Sequence, residues 1–133
     1  MHTKRIEVRW HDQDALGHVN NAVYLNYAEE VRDEWLAATL GAETIGGWLI
    51  ARIEIDYRSV LSRADVAAVA RCSLLRIGRT SIRTREVLET ESGRLVSESE
   101  AVLVACDPRT SSPRPLTDRE RATLAAELEP API

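Results

Sequence analysis

Residues Arg9–Leu40 read RWHDQDALGHVNNAVYLNYAEEVRDEWLAATL and decide the fold of this chain. A polar loop comes first, and the remainder carries apolar residues at the spacing of one helix face. Asn20 or Asn21 can cap the start of that helix, and Gly41 can stop it. We therefore predict a helix over Asn21–Leu40, about 30 Å long, as the central element. The apolar face of this helix comprises Tyr24, Tyr27, Ala28, Val31, Trp35 and Ala38.

The rest of the chain alternates between apolar and polar residues in runs of strand length. The predicted strands are Thr3–Trp10, Trp48–Tyr57, Asp65–Ile77, Ser81–Thr90 and Leu95–Cys106. Connections of hairpin length make the last four antiparallel, so the predicted class is α+β, with one long helix wrapped by an antiparallel sheet of about five strands. In the second strand, the alternation predicts one shared face for Leu49, Ala51, Ile53, Ile55 and Tyr57.

Length and composition are those of a single globular domain over residues 1–133. A net charge of −4 provides no general attraction to nucleic acid or to anionic membranes. No apolar run resembles a signal peptide or is long enough to cross a bilayer, so we expect a cytoplasmic location. The two cysteines, Cys72 and Cys106, fall inside predicted strands and form no metal motif. Near the C-terminus, a short helix is predicted over about residues 117–128, followed by a frayed tail at 129–133.

The polar loop before the helix is the strongest candidate for chemistry. Asp14 precedes the free backbone N–H groups of a helix N-terminus, and Gly17 permits a tight turn. A carboxylate facing those groups can attack a carbonyl, or activate water, while the helix end stabilises the oxyanion. From spacing alone, a turn-capping role for Asp14 is the commoner case.

Other side chains of the loop and helix have two interpretations each. His18 is a general base or a residue that orders the loop, and the three histidines lack the spacing of metal ligands, so we expect no metal site. Tyr24 is a core residue or a pocket wall. Glu29 is a second carboxylate at the site or the partner of Arg32, which lies three residues further along the helix.

An arginine-rich run, RIGRTSIRTR at Arg76–Arg85, spans a predicted strand–turn–strand junction. Arginine side chains and free backbone N–H groups at such a turn can hold phosphates. The alternative is a solvated sheet face. The sequence contains no Walker-type motif, no dinucleotide fingerprint and no Gly-x-Ser-x-Gly elbow, and we expect no bound cofactor.

The run from Asp12 to Arg32, D-x-D-x-x-G-H-V-N-N-x-x-Y-L-x-Y-x-E-x-x-R, resembles the 4-hydroxybenzoyl-CoA thioesterase family of hotdog-fold proteins. It is most similar to the acyl-CoA thioesterase branch with a His-Val-Asn-Asn motif. The segment Ile53–Asp65 resembles the second-strand block of that family, and Arg79–Ser81 resembles the segment that meets the CoA end of the ligand. The resemblance covers Arg5 to Pro115.

The resemblance implies a hotdog fold that dimerises sheet to sheet, as a homodimer or homotetramer with active sites at the dimer interface. It implies hydrolysis of an acyl-CoA to a free acid and CoA, with Asp14 as the essential carboxylate and the backbone N–H of Asn21 polarising the thioester carbonyl. The implied substrate-binding residues are Gly17, His18, Asn20, Asn21 and Tyr24. The implied CoA-binding residues are Arg76, Arg79, Thr80 and Ser81.

Three positions depart from patterns in the family. The tolerance-associated branch has His where this chain has Asn21, relatives have Gly-Asp where it has Ala64-Asp65, and plant acyl-carrier-protein thioesterases have Asn where it has Leu16. The alternatives left open are an acyl-carrier-protein substrate, a non-catalytic acyl-CoA-binding protein and a hotdog dehydratase. The sequence also leaves open whether Asp14 is a nucleophile or a general base.

Overall fold

A computed structural model of the chain describes residues 1–130. Its elements are β1 (His2–Glu7), α1 (Asn21–Leu40), β2 (Trp48–Tyr57), β3 (Ala67–Ile77), β4 (Ser81–Thr90), β5 (Leu95–Ala105) and α2 (Asp118–Ala125). The strands form one antiparallel sheet in the order β1-β3-β4-β5-β2, and α1 packs against it. The predicted α+β class is confirmed. Within the described residues, neither helix combines the length and apolar character needed to span a membrane.

Helix α1 has the predicted bounds because the Asn20 side chain caps its N-terminus and the backbone conformation of Gly41 ends it. The Asn20 side chain accepts the Ala22 N–H at 2.9 Å, and the helix ends where Gly41 adopts a φ of +102°. Its buried stripe packs on the sheet, and each large apolar side chain there contributes about 1.5–3 kcal/mol of burial free energy. The stripe consists of Tyr24, Tyr27, Ala28, Val31, Trp35 and Leu36. Ala38, which the spacing placed on this face, is exposed instead.

Strand β1 is shorter than the predicted Thr3–Trp10. It ends at Glu7, and Trp10–Asp12 forms a 3₁₀ turn instead. The Asp12 carboxylate accepts the Arg9 backbone N–H at 3.0 Å, which closes this turn and ends the strand pairing. The chain therefore leaves the sheet before Trp10.

A β-bulge in β2 divides the predicted face of that strand, because Ile53 and Ile55 pack against the core as predicted while Leu49 and Ala51 are exposed. The register with β5 shifts between Ile50 and Arg52, so one extra residue changes which side chains point inward. Trp48 is consequently buried and Ile53 half-buried, whereas Leu49 is 48% exposed. Strand β2 is also an edge of the sheet, with β5 as its one strand neighbour among the described residues.

A buried ion pair crosses the interface between α1 and the sheet. Arg32 donates to the Glu86 carboxylate at 2.8 Å, and Thr84 and Ser99 donate to the same carboxylate. Burial raises the pKa of Glu86, and the Arg32 guanidinium opposes that shift. The predicted pairing of Glu29 with Arg32 is wrong, because Arg32 points into the core while Glu29 stays exposed.

The C-terminal helix α2 is shorter than predicted. Thr117 caps it by accepting the Glu120 N–H at 3.1 Å, and the helix ends at Ala125 instead of residue 128. The Glu129 N–H then donates to the Leu74 carbonyl of β3 at 2.9 Å, so this part of the predicted tail is held against the sheet. Residues 131–133 of that tail lie outside the described residues.

Candidate active site

The loop before α1 folds around Asp14. The Asp14 N–H donates to the His18 carbonyl at 2.7 Å, and Gly17 supplies the positive φ of +78° that the turn requires. One carboxylate oxygen, Asp14 Oδ1, accepts the N–H groups of Leu16 at 2.9 Å and His18 at 3.3 Å. The other oxygen, Oδ2, accepts no hydrogen bond from residues 1–130. Asp14 therefore caps its own turn and still presents one open carboxylate oxygen.

Asp12, the other aspartate of the loop, is a buried anchor. It is 4% exposed and accepts hydrogen bonds from the Tyr27 hydroxyl and from Arg9. Burial acts to raise the pKa of Asp12, but the donors from Tyr27 and Arg9 outweigh it and hold that pKa below its ordinary value. Burial and the Asp12 carboxylate in turn raise the pKa of Tyr27. The contact with Tyr27 fixes the loop to the second turn of α1.

The start of α1 leaves one backbone donor available. Asn20 accepts the N–H groups of Ala22 and Val23, at 2.9 and 2.8 Å. The Asn21 N–H has no acceptor among residues 1–130, whereas the Asn21 carbonyl accepts the Tyr57 hydroxyl at 2.8 Å. A free N–H at a helix N-terminus is a donor suited to a developing oxyanion.

Two predicted site residues have structural roles in the single chain. Tyr24 is buried, packs edge-on against Tyr57 at 5.2 Å and accepts the Leu61 N–H at 3.0 Å, so it is a core residue. His18 is exposed, and its backbone, not its imidazole, supplies the hydrogen bonds that order the loop. Neither side chain lines the cavity beside Asp14.

A cavity of about 450 Å³ opens beside Asp14, lined by Trp10, Gln13, Asp14, Ala15 and Gly17. The sequence pattern missed Trp10 as a site residue, because the alternation places it on the half-buried face of a longer β1. Its 3₁₀ turn rotates the indole out of that face. An aromatic residue four positions before the candidate carboxylate was the signal that could have found it.

Most of the arginine-rich run lines a second cavity at the β3–β4 turn. This cavity, of about 410 Å³, includes Arg76, Arg79, Ser81 and Arg83 in its lining. Arg76 and Arg79 make no ion pair within residues 1–130, and the backbone N–H groups of Arg79 and Thr80 have no acceptor there. Thr80 does not line the cavity by its side chain.

Within one chain, Asp14 and the arginine cavity lie near opposite ends of β2. Ser81, Val104 and Leu49 are neighbours across β4, β5 and β2, so the arginine cavity lies at the Trp48 end of β2. Asn21 contacts Tyr57, at the other end of that strand. A strand of 10 residues spans roughly 30 Å.

The described residues, 1–130, contain no group of three or more His, Cys, Asp or Glu side chains arranged to hold a metal ion. Cys72 and Cys106 are buried free thiols. Burial raises the pKa of the Cys72 thiol, as expected for a small core residue and not for a reactive one.

The sheet order, the long helix across the sheet and the carboxylate loop at its start define a hotdog-fold protein. The chain belongs to the thioesterase-like superfamily, whose family model matches residues 8–131. No curated protein sequence matches the chain.

Solved structures agree with this assignment. A thioesterase from Thermus thermophilus, complexed with coenzyme A and Zn, is 28% identical with a TM-score of 0.84, over 94% of this chain and 92% of that one. A protein from Pseudomonas aeruginosa is 26% identical with a TM-score of 0.87, over 99% and 94%. A 1,4-dihydroxy-2-naphthoyl-CoA thioesterase from Synechocystis shares the fold, at 15% identity and a TM-score of 0.78, over 93% and 95%.

Proposed function

We propose that this protein is an acyl-CoA thioesterase of the 4-hydroxybenzoyl-CoA thioesterase-like branch. The observation that carries the proposal is the loop geometry: the turn that presents the open oxygen of Asp14 leads directly into the helix start that presents the free Asn21 N–H, and the Asn20 N–H ties that start back to the Asp12 carbonyl at 2.8 Å. The Gln13–Val19 bridge holds the two sides of that turn together.

The chemistry follows from these two groups. The Asn21 N–H, at the positive end of the α1 dipole, polarises the thioester carbonyl and stabilises the oxyanion. Asp14 either takes a proton from a water molecule that attacks the carbonyl carbon, or attacks that carbon itself to form a mixed anhydride, which water then hydrolyses to free acid and the Asp14 carboxylate. The C–S bond breaks, CoA leaves as the thiol, and one water is consumed per acid released. Gly17 shapes the turn, and Asn20 holds the helix start.

The exposed edge of β2 supports an active site completed by a second copy of the chain. Its unpaired backbone and the exposed Leu49, Ile50 and Tyr57 favour pairing with another strand. A two-fold axis that pairs two β2 edges antiparallel sets the Tyr57 end of one chain beside the Trp48 end of its partner. Asp14 of one chain then faces the arginine cavity of the other.

The arginine cavity favours CoA over an acyl carrier protein. Arg76 and Arg79, with free N–H groups at the turn, provide several donors for phosphates, and Arg83, which pairs with Glu100 at 3.7 Å, adds a third positive charge. CoA carries a diphosphate and a ribose phosphate, whereas the prosthetic group of a carrier protein carries a single phosphodiester. We propose that these residues, with Ser81, hold the nucleotide end of acyl-CoA.

We predict a homodimer, or a tetramer of two such dimers, by light scattering at micromolar concentration. Ile50→Lys should give monomers and abolish turnover, because it places a charge on the pairing edge without touching the core. Val60→Lys, on an equally exposed residue outside β2, is the matched control and should leave the oligomer intact. A monomeric wild-type protein would contradict the shared site.

Arg79→Ala should raise KM for acyl-CoA about tenfold or more with little change in kcat, since a phosphate contact is uniform binding. The effect should vanish for the pantetheine thioester of the same acid. Arg85→Ala removes the same charge from the neighbouring strand, outside the cavity, and should change neither parameter. Equal effects of Arg79→Ala on both substrates would remove Arg79 from the site.

Mixed dimers test whether the two cavities belong to one site. Chains carrying Asp14→Asn and chains carrying Arg79→Ala are co-refolded, so that each mixed dimer has one intact site. We expect turnover with wild-type KM, which neither parent variant shows. Kinetics equal to the sum of the two parents would show that both groups act within one chain.

A further inference from the structure

Trp10 is the one strongly exposed tryptophan of this chain. It is 70% exposed, whereas Trp35 and Trp48 are 2% and 7% exposed. An indole is among the largest apolar surfaces a side chain offers, so solvent exposure of this size forgoes burial free energy. The ring lines the same cavity as Asp14.

One side-chain contact to the indole and one backbone hydrogen bond link the Trp10 segment to the turn that begins at Arg63. The Arg63 guanidinium lies 5.4 Å from the ring centroid, and Arg63 makes no ion pair within residues 1–130. Arg63 begins a short 3₁₀ turn that ends at Asp65, and the next residue, Val66, has a φ of +68°, a strained value for a β-branched residue. The Val66 carbonyl accepts the Val8 N–H at 2.9 Å, which ties the Arg63 turn to the segment that carries Trp10.

The direction of the substrate follows from the sheet order and rests on the proposed function. Trp10 follows β1, which lies at the sheet edge opposite β2. In the proposed dimer, the arginine cavity of the partner subunit holds the nucleotide end of the substrate beyond the β2 edge. The substrate therefore enters the site from that edge and passes Asn21 first. The thioester carbonyl then lies at Asp14, and the part of the substrate beyond it lies against Trp10.

We propose that Trp10 is the acyl-binding and specificity residue of this site, with Arg63 as the positioning residue that holds its ring. The ligand class is a thioester whose acyl group is apolar and large enough to cover an indole face. An acetyl group is too small to do so. Without substrate, the indole of Trp10 is exposed to water. When an apolar acyl chain packs against it, both the chain and the ring become buried.

Kinetics with two acyl lengths test this assignment. Trp10→Ala should lower the ratio of kcat/KM for hexanoyl-CoA to that for acetyl-CoA by about 10–100-fold, the value of burying several methylene groups. Trp10→Phe should restore most of the ratio. Leu16→Ala is the matched control, because Leu16 is equally exposed in the same loop but does not line the cavity. An unchanged ratio in Trp10→Ala would overturn the assignment.

Fluorescence tests the same contact without turnover. In an Asp14→Asn background, hexanoyl-CoA should shift the emission of exposed Trp10 to the blue, and Trp10→Phe should remove that shift. Acetyl-CoA and free CoA should give little shift. In the same background, Arg63→Ala should weaken the shift, whereas a merely structural Arg63 would leave the shift intact. With Asp14 present, Arg63→Ala should raise KM for hexanoyl-CoA. A full shift with free CoA would assign Trp10 to the thiol side and overturn the proposal.

These experiments distinguish failure of the thioesterase function from failure of the Trp10 assignment. If no acyl-CoA releases thiol with the wild-type protein, the thioesterase function is wrong, while the titration still reports whether an acyl group covers Trp10. If thiol is released but neither the ratio nor the emission responds to Trp10 variants, the function stands and the Trp10 assignment fails.

Discussion

Replacing Asp14 by Asn is expected to lower kcat for acyl-CoA hydrolysis by about 10²–10⁴, the range lost with a general base. A greater loss would favour a nucleophilic role. The amide keeps an oxygen that can accept the N–H groups of Leu16 and His18, so the turn should survive. It can neither attack a carbonyl nor take a proton from water. Acyl-CoA binding and the melting temperature should therefore change little, as measured by titration and calorimetry.

The two other carboxylates of the region are the matched controls. Asp12→Asn breaks buried hydrogen bonds with Tyr27 and Arg9, so it should lower the melting temperature and affect kcat less than Asp14→Asn does. Glu29→Gln changes an exposed carboxylate of α1 and should leave kcat near the wild-type value. Near-normal turnover in Asp14→Asn, together with its loss in Glu29→Gln, would assign the chemistry to the helix residue instead.

Replacing Glu86 by Leu is expected to lower the free energy of unfolding by about 3–5 kcal/mol. The change leaves the Arg32 guanidinium buried and without its charge partner, since both side chains are almost wholly inaccessible. Arginine cannot deprotonate in proteins, so its charge persists. Urea unfolding monitored by circular dichroism measures the loss.

A double variant separates the lost charge partner from lost packing. Arg32→Met/Glu86→Leu should be more stable than Glu86→Leu alone, because no isolated charge remains in the core. Glu98→Leu removes a partly exposed carboxylate that pairs with Arg85 and Arg58 on the sheet surface and should cost about 0–1 kcal/mol, as surface pairs do. If the loss of unfolding free energy in the double variant equals the sum of the losses in Arg32→Met and Glu86→Leu, the two charges contribute independently.

The sequence predicted the elements whose signals are local. The bounds of α1 follow from a cap at Asn20, a stop at Gly41 and a helical apolar stripe, and all three are present in the structure. The bounds of β2 and β4 follow from alternation and turn residues. The resemblance of the run Asp12–Arg32 to hotdog thioesterases indicated the family, and the family model over residues 8–131 bears this out at the level of the thioesterase-like superfamily.

The features that the sequence missed depend on contacts distant along the chain. The partner of Arg32 is Glu86, 54 residues away, and nothing local indicates that Arg32 pairs with it instead of with Glu29, one turn earlier in α1. The bulge near Ala51 changes the side-chain phase of β2 without any glycine or proline to mark it. The alternation predicts Trp10 as a strand residue. In the structure, the Asp12 side chain closes a 3₁₀ turn that rotates the Trp10 indole outward.

Release of free thiol from a panel of short, long and aromatic acyl-CoAs, measured with a thiol reagent, tests the proposed thioesterase function most directly. We expect steady turnover of at least one acyl-CoA by the oligomeric wild-type protein without added metal, and a loss of about 10²–10⁴ in kcat with Asp14→Asn. Binding of acyl-CoA without any release of thiol by the wild-type protein would contradict it and identify a non-catalytic acyl-CoA-binding protein.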